Sequence, residues 1–118
     1  MPELEVVFYE QADGTIPVRK FLCGLNEKME AKMLRTISLL EKNGYDLREP
    51  YSKPIGDGIF ELRAQVATNI SRVLYFFVVN GKAVLTHGFV KKTDKTPKTE
   101  IARAKRYRED YLRRHDAE

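Results

Sequence analysis

The residues of this chain best suited to chemistry are cations. Arg63, Arg72, Lys91 and Lys92 fall in or just after stretches that read as strands, with Lys53 upstream and Lys95 and Lys98 downstream. Arginine presents a rigid fork of donors that fits a phosphate in two-point contact, so Arg63 and Arg72 together would grip and neutralise a phosphodiester. Lys91 or Lys92, crowded by other cations, is a candidate acid or base. His87 is a candidate acid, because the unperturbed imidazole titrates near ~6.5. Tyr75 and Phe89 offer ring faces on which a nucleobase can stack, and Lys53, Lys95 and Lys98 would add contacts to a polyanion. The chemistry these groups fit is metal-independent cleavage of RNA by its own 2′-hydroxyl. A base takes the hydroxyl proton, cations stabilise the phosphorane, and an acid protonates the departing 5′ oxygen. Two histidines, one cysteine and scattered acids give no ligand set at metal spacing, so neither a metal nor another cofactor is expected. A glycine-rich phosphate loop and a nucleophile elbow are also missing from the sequence.

Each candidate also has a structural reading. Arg63 could pair with Glu61, and Arg72 could brace the last helix through a salt bridge. His87 could be a hydrogen-bonded core histidine, Tyr75 and Phe89 could be core, and the lysines could end strands and loops in solvent. Charge distribution bears on the choice. The net charge is +4, yet between Lys91 and Arg114 ten basic residues face four acids (Asp94, Glu100, Glu109 and Asp110). Such asymmetry points to a polyanion or an acidic partner, or else to a solvated helix face.

The elements that must position these residues follow from periodicity and punctuation. Leu4 to Tyr9 reads as a first strand. Pro17 suits a first helical turn, and Val18, Phe21, Leu22 and Leu25 recur at helical spacing around Gly24. A second helix runs from a cap at Asn26 to a stop at Asn43-Gly44, with Met29, Met33, Ile37 and Leu40 as its apolar stripe. Asp46 to Asp57, containing Pro50 and Pro54, is expected to be irregular. Gly58 to Ala64 alternates as a strand, and Arg72 to Val79 is apolar enough for a central strand. Asn80-Gly81 signals a two-residue hairpin turn, and Lys82 to Val90 forms the returning strand. With Val79 facing Lys82, Arg72 lies opposite Phe89, Leu74 opposite His87 and Phe76 opposite Leu85. The Gln65 to Ser71 connection fixes no register. One pairing sets Arg63 opposite Val73, on a face with Tyr75 and Lys92, and a one-residue slip reverses the face. A linker with Pro97 leads to a last helix whose seam is Ile101, Ala104, Tyr107, Tyr111 and Leu112.

The expected fold is α+β: a mainly antiparallel four-stranded sheet, an N-terminal helix pair and a C-terminal basic helix, in the order β-α-α-β-β-β-α. At 118 residues the chain is read as one domain, 1–118. An apolar fraction of 42% supports a core without staples, and the one cysteine, Cys23, excludes an internal disulfide and is expected to be buried. No apolar run nears the roughly 20 residues of a membrane span and the N-terminus lacks a signal-peptide layout, so a cytoplasmic protein without membrane contact is expected.

Gly58-Ile59-Phe60-Glu61-Leu62-Arg63, Arg72-Val73-Leu74-Tyr75, His87 through Pro97 and Glu100-Ile101-Ala102-Arg103-Ala104 resemble, in this order, the phage-derived HigB-like branch of the RelE/ParE toxin superfamily. The similarity covers essentially the whole chain. It implies a RelE-like fold and a toxin–antitoxin operon. The partner it implies is a small antitoxin of the HigA kind with a helix-turn-helix, and the activity is ribosome-dependent cleavage of mRNA. To meet the cationic surface, that antitoxin is expected to be acidic or to carry an acidic segment. On the same resemblance Arg63 and Lys92 hold the positions nearest the scissile phosphate, and Lys53 matches loosely the lysines before the second strand. The tyrosine some members carry after the basic motif has no counterpart in Thr93 to Lys98. Relatives of this fold that poison DNA gyrase supply an alternative, as does an RNA-binding module without catalysis.

Overall fold

Capping and alternation place the elements largely where the sequence predicts them. The computed structural model describes residues 4–79, 81–91 and 95–115. Strand β1 (Glu5–Phe8) leads to α1 (Pro17–Cys23) and α2 (Glu27–Asn43), followed by β2 (Ser52–Gly56), β3 (Ile59–Val66), β4 (Asn69–Val78), β5 (Lys82–Lys91) and α3 (Lys98–His115). Pro17 opens α1. The Asn26 side chain caps α2 by accepting the Met29 N–H at 2.9 Å, and Gly44 ends it with φ 58. Cys23 is exposed, because it lies on the last turn of α1 and not on the seam that faces the sheet.

The sheet has five strands in the order β1-β5-β4-β3-β2, with β1 parallel to β5 and the other pairs antiparallel. It is therefore α+β and mainly antiparallel as predicted, with one strand more than the four expected. The extra strand is β2, in the stretch read as irregular on account of Pro54. Pro54 is tolerated because β2 is an edge strand, and the pairing with β3 shifts register between Pro54 and Gly56. Gln65 to Ser71 is not an open loop: β3 and β4 pair up to Val66 and Asn69, leaving Ala67-Thr68 as a tight turn with Ala67 at φ 55. Arg63 consequently faces Arg72, not Val73, and shares its face with Arg72 instead of Tyr75.

The last hairpin combines a hit and a miss. Arg72 lies opposite Phe89 and Leu74 opposite His87, as the register argument requires. Nearer the turn the final pair is Val78 with Lys82, and Phe76 faces Val84, not Leu85. The described ladder thus closes on Val78 and Lys82, with Gly81 at φ 77, and a shift between Leu74 and Tyr75 restores the predicted register further on. Asn80 itself lies outside the described residues.

Helices cover both faces. On one, Met29, Met33, Ile37 and Leu40 of α2 and Val18 and Leu22 of α1 pack on Leu62, Val73, Tyr75 and Leu85. Gly88 lets α1 approach, since a Cβ there would lie 2.3 Å from the Phe21 ring. On the other face, Ala104 and Tyr111 of α3, with half-buried Tyr107, pack on Ile59, Leu74, Phe76 and Val84. Leu112, predicted in that seam, is exposed.

Candidate nucleic-acid interface

Register determines which cations share a surface. Lys53 pairs with Glu61, Arg63 pairs with Arg72, and Arg72 pairs with Phe89, so these side chains stand on the α3 face of the sheet. Lys91 continues that alternation at the end of β5. All lie toward the end of the sheet remote from the Val78–Lys82 pair, where the sequence places the cationic pole.

Their environments then diverge. Arg72 is fully buried; its Nε lies 3.2 Å from Oε2 of the equally buried Glu61, and its Nη1 donates to the Lys95 carbonyl at 3.2 Å. Thr96 Oγ1 donates to the same carboxylate at 2.9 Å. Arg72 therefore joins the start of α3 to the sheet and has no surface to offer a phosphate, which corrects its expected grip. Charged groups are carried into the interior only when paired and hydrogen-bonded, and Glu61 with Thr96 and the Lys95 carbonyl meets that condition.

His87 is likewise enclosed. Its Nε2 lies 2.9 Å from Glu100 Oε1 and its Nδ1 3.1 Å from Thr86 Oγ1, with only 3% of the residue exposed. Burial pushes its pKa down, and the Glu100 hydrogen bond opposes that shift. It is a helix anchor here and reaches no solvent-borne substrate. Tyr75 is buried on the opposite face, where its hydroxyl and that of Ser52 form a 2.5 Å hydrogen bond, and burial raises its pKa. It packs against Phe60 and Phe77 and presents no ring to a base.

The surface therefore belongs to a shorter set. Arg63 keeps 17% of its side chain exposed, with its Nε 3.9 Å from Glu61 Oε2. Lys91, Lys95 and Lys98 are exposed, and Lys53 and Phe89 are half-buried. Lys92 lies outside the described residues. Arg63 also lines a groove of about 380 Å³ between α2 and the segment entering β2, together with Lys32, Arg35 and Tyr51. Sequence reasoning missed these three, because their meeting with Arg63 depends on how α2 crosses the sheet. It named Glu61 only as a possible Arg63 partner, although its two-residue spacing from Arg63 places both on one face.

Further links hold α3 down its length. Lys105 Nζ donates to Asp57 Oδ2 at 2.5 Å, which holds the Asp57 carboxyl below its usual range, and Arg108 donates to the Asp57 carbonyl. Tyr9 donates to Asp110 at 2.5 Å, and burial with that carboxylate pushes the phenol up to about 12. Arg114 bonds both Asp110 and the Glu10 carbonyl. Among the described residues no group of three or more His, Cys, Asp or Glu is arranged to hold a metal, and no helix is long and apolar enough to cross a membrane.

A mixed sheet between a helix pair and a basic terminal helix is an α+β architecture compatible with the RelE-like fold. The family model described as phage-derived protein Gp49-like (DUF891) matches residues 20–109, and the chain belongs to that toxin-like family. No curated protein matches the sequence.

Proposed function

We propose that this chain is the toxin of a type II toxin–antitoxin pair, of the HigB-like branch, and that it cleaves mRNA on the ribosome without a metal. The observation that carries the reading is the partial exposure of Arg63 on a face that also carries half-buried Lys53 and exposed Lys91, with exposed Lys95 nearby. An arginine so placed can take two phosphate oxygens while the lysines track the adjoining backbone. Lys91, and Lys92 on the family resemblance, are the proposed proton carriers, since His87 is enclosed. Phe89 is the remaining stacking candidate, and Lys98 extends the cationic rim. The antitoxin is expected to be a HigA-like protein with an acidic segment that covers this surface in the cytoplasm.

Burial of His87 and Arg72 favours a second reading, a poison that docks on DNA gyrase and cuts no bond itself. Expression in a bacterium with primer extension separates the two. New in-frame 5′ ends in mRNA within minutes of induction are the expected result. Intact mRNA accompanied by DNA breaks would replace the nuclease with the gyrase poison, and intact nucleic acids would leave RNA binding without catalysis.

A further inference from the structure

The groove beside Arg63 is separate from the sheet face that carries the lysines. Its walls are α2, through Lys32, Arg35 and Leu39, and the Pro50-Tyr51 segment with the β3 residues from Arg63 onward. Its α2 wall carries two cations, Lys32 and Arg35, Arg63 borders it from β3, and no acidic residue among the described residues lines it. Lys32 is held in place by donating to the Gln65 carbonyl at 2.7 Å, and no described carboxylate pairs with Lys32 or Arg35 within 4.0 Å. Tyr51 is 45% exposed, and among the described residues no other ring packs on it. Its backbone is fixed nonetheless, because its carbonyl accepts the Arg63 N–H at 2.9 Å. A volume of about 380 Å³ lies within the roughly 300–1,000 Å³ of small-ligand sites.

We propose that this groove is a nucleotide subsite. It takes one nucleotide of single-stranded RNA, stacking the base on Tyr51 and holding the flanking phosphate between Lys32 and Arg35. The inference rests on the RNA reading above and deepens it. Base faces stack on an aromatic ring without regard to sequence, and cations beside the ring follow the backbone. An acidic peptide would satisfy the cations but leave an open ring beside them unused, so the combination favours a nucleotide.

The test is fluorescence anisotropy of a labelled RNA hexamer, 2′-O-methylated to block cleavage, titrated with the full chain. Tyr51→Ala should weaken binding about tenfold. Arg35→Glu should weaken it at least as much, and Arg35→Ala should flatten the salt dependence by about one phosphate contact. Lys42→Glu, the same charge change at the far end of α2, is the control and should cost about twofold or less. Melting temperatures show whether each variant folds. Groove variants that bind like Lys42→Glu overturn the subsite; if Arg63→Ala still loses binding in that case, the RNA reading survives without it. A wild-type chain that ignores the hexamer overturns the subsite, while the mapping of mRNA 5′ ends in cells decides the nuclease reading by itself. Binding of a decaglutamate peptide that Arg35→Glu abolishes, with RNA binding unchanged, would assign the groove to an acidic protein segment instead.

Discussion

The two faces of the sheet are closed by different physics. The α1/α2 face is sealed by aliphatic and methionine side chains that are almost wholly buried, Met33 and Leu40 among them. The α3 face has a smaller apolar patch around Ala104 and Tyr111, and the helix is pinned along its length by charge: Arg72–Glu61 with Thr96, His87–Glu100, Lys105–Asp57 and Tyr9–Asp110–Arg114. Burial of apolar surface is non-directional and insensitive to pH, whereas paired charges depend on protonation and, near the surface, on salt. The helix that borders the proposed interface is thus the condition-sensitive one.

The sharpest way to break that contrast is to remove one charge from beneath α3. Glu61→Gln leaves Arg72 enclosed without its carboxylate and should cost about 3–5 kcal/mol in urea unfolding. The double variant Glu61→Leu/Arg72→Met should recover most of the loss, because the charges leave together. A cost under about 1 kcal/mol for the single change would mean that the buried pair does not hold the face. On the opposite side, Met33→Ala should cost about 2–5 kcal/mol through lost burial and the cavity left behind. That loss should be the same at high and low salt, and a marked salt dependence would contradict the assignment.

The smallest effect expected is that of pH. Burial depresses the His87 pKa below its ordinary 6.5, so the folded state binds fewer protons than the unfolded one. The stability tied to neutral His87 is complete above about pH 6.5 and is lost as pH falls from there toward the depressed folded value. Glu100 opposes the loss, and Arg103 and Arg106 reinforce it. Melting temperature should therefore drop between about pH 7.5 and 5.5, with amide exchange in α3 rising before exchange in α2. His87→Gln should flatten the slope. An unchanged slope would place the titrating group elsewhere.

The same contrast explains what could be read from sequence. The α2 stripe and its Asn26 and Gly44 termini were legible because helical period and capping are local signals. The edge strand holding Pro54 was not, since proline is forbidden only where the sheet continues on both sides. Register at the cationic pole was legible for Arg72 and Phe89, although the ladder closes on Val78 with Lys82 and not Val79 with Lys82, and a later shift compensates. Residue type identified the pole, but burial separated Arg72 and His87 from Arg63. That separation depends on where Glu61, Thr96 and Glu100 come to rest, which no local pattern encodes.

The account centres on Arg63 as the partly exposed arginine proposed to meet the RNA phosphate. Its most direct test is Arg63→Ala, induced in a bacterium beside the wild type, with mRNA 5′ ends mapped and the melting temperature of each purified protein recorded. The expected result is loss of both mRNA cuts and growth arrest, with the melting temperature changed by no more than a few degrees. Undiminished cleavage by a folded Arg63→Ala protein would contradict the account.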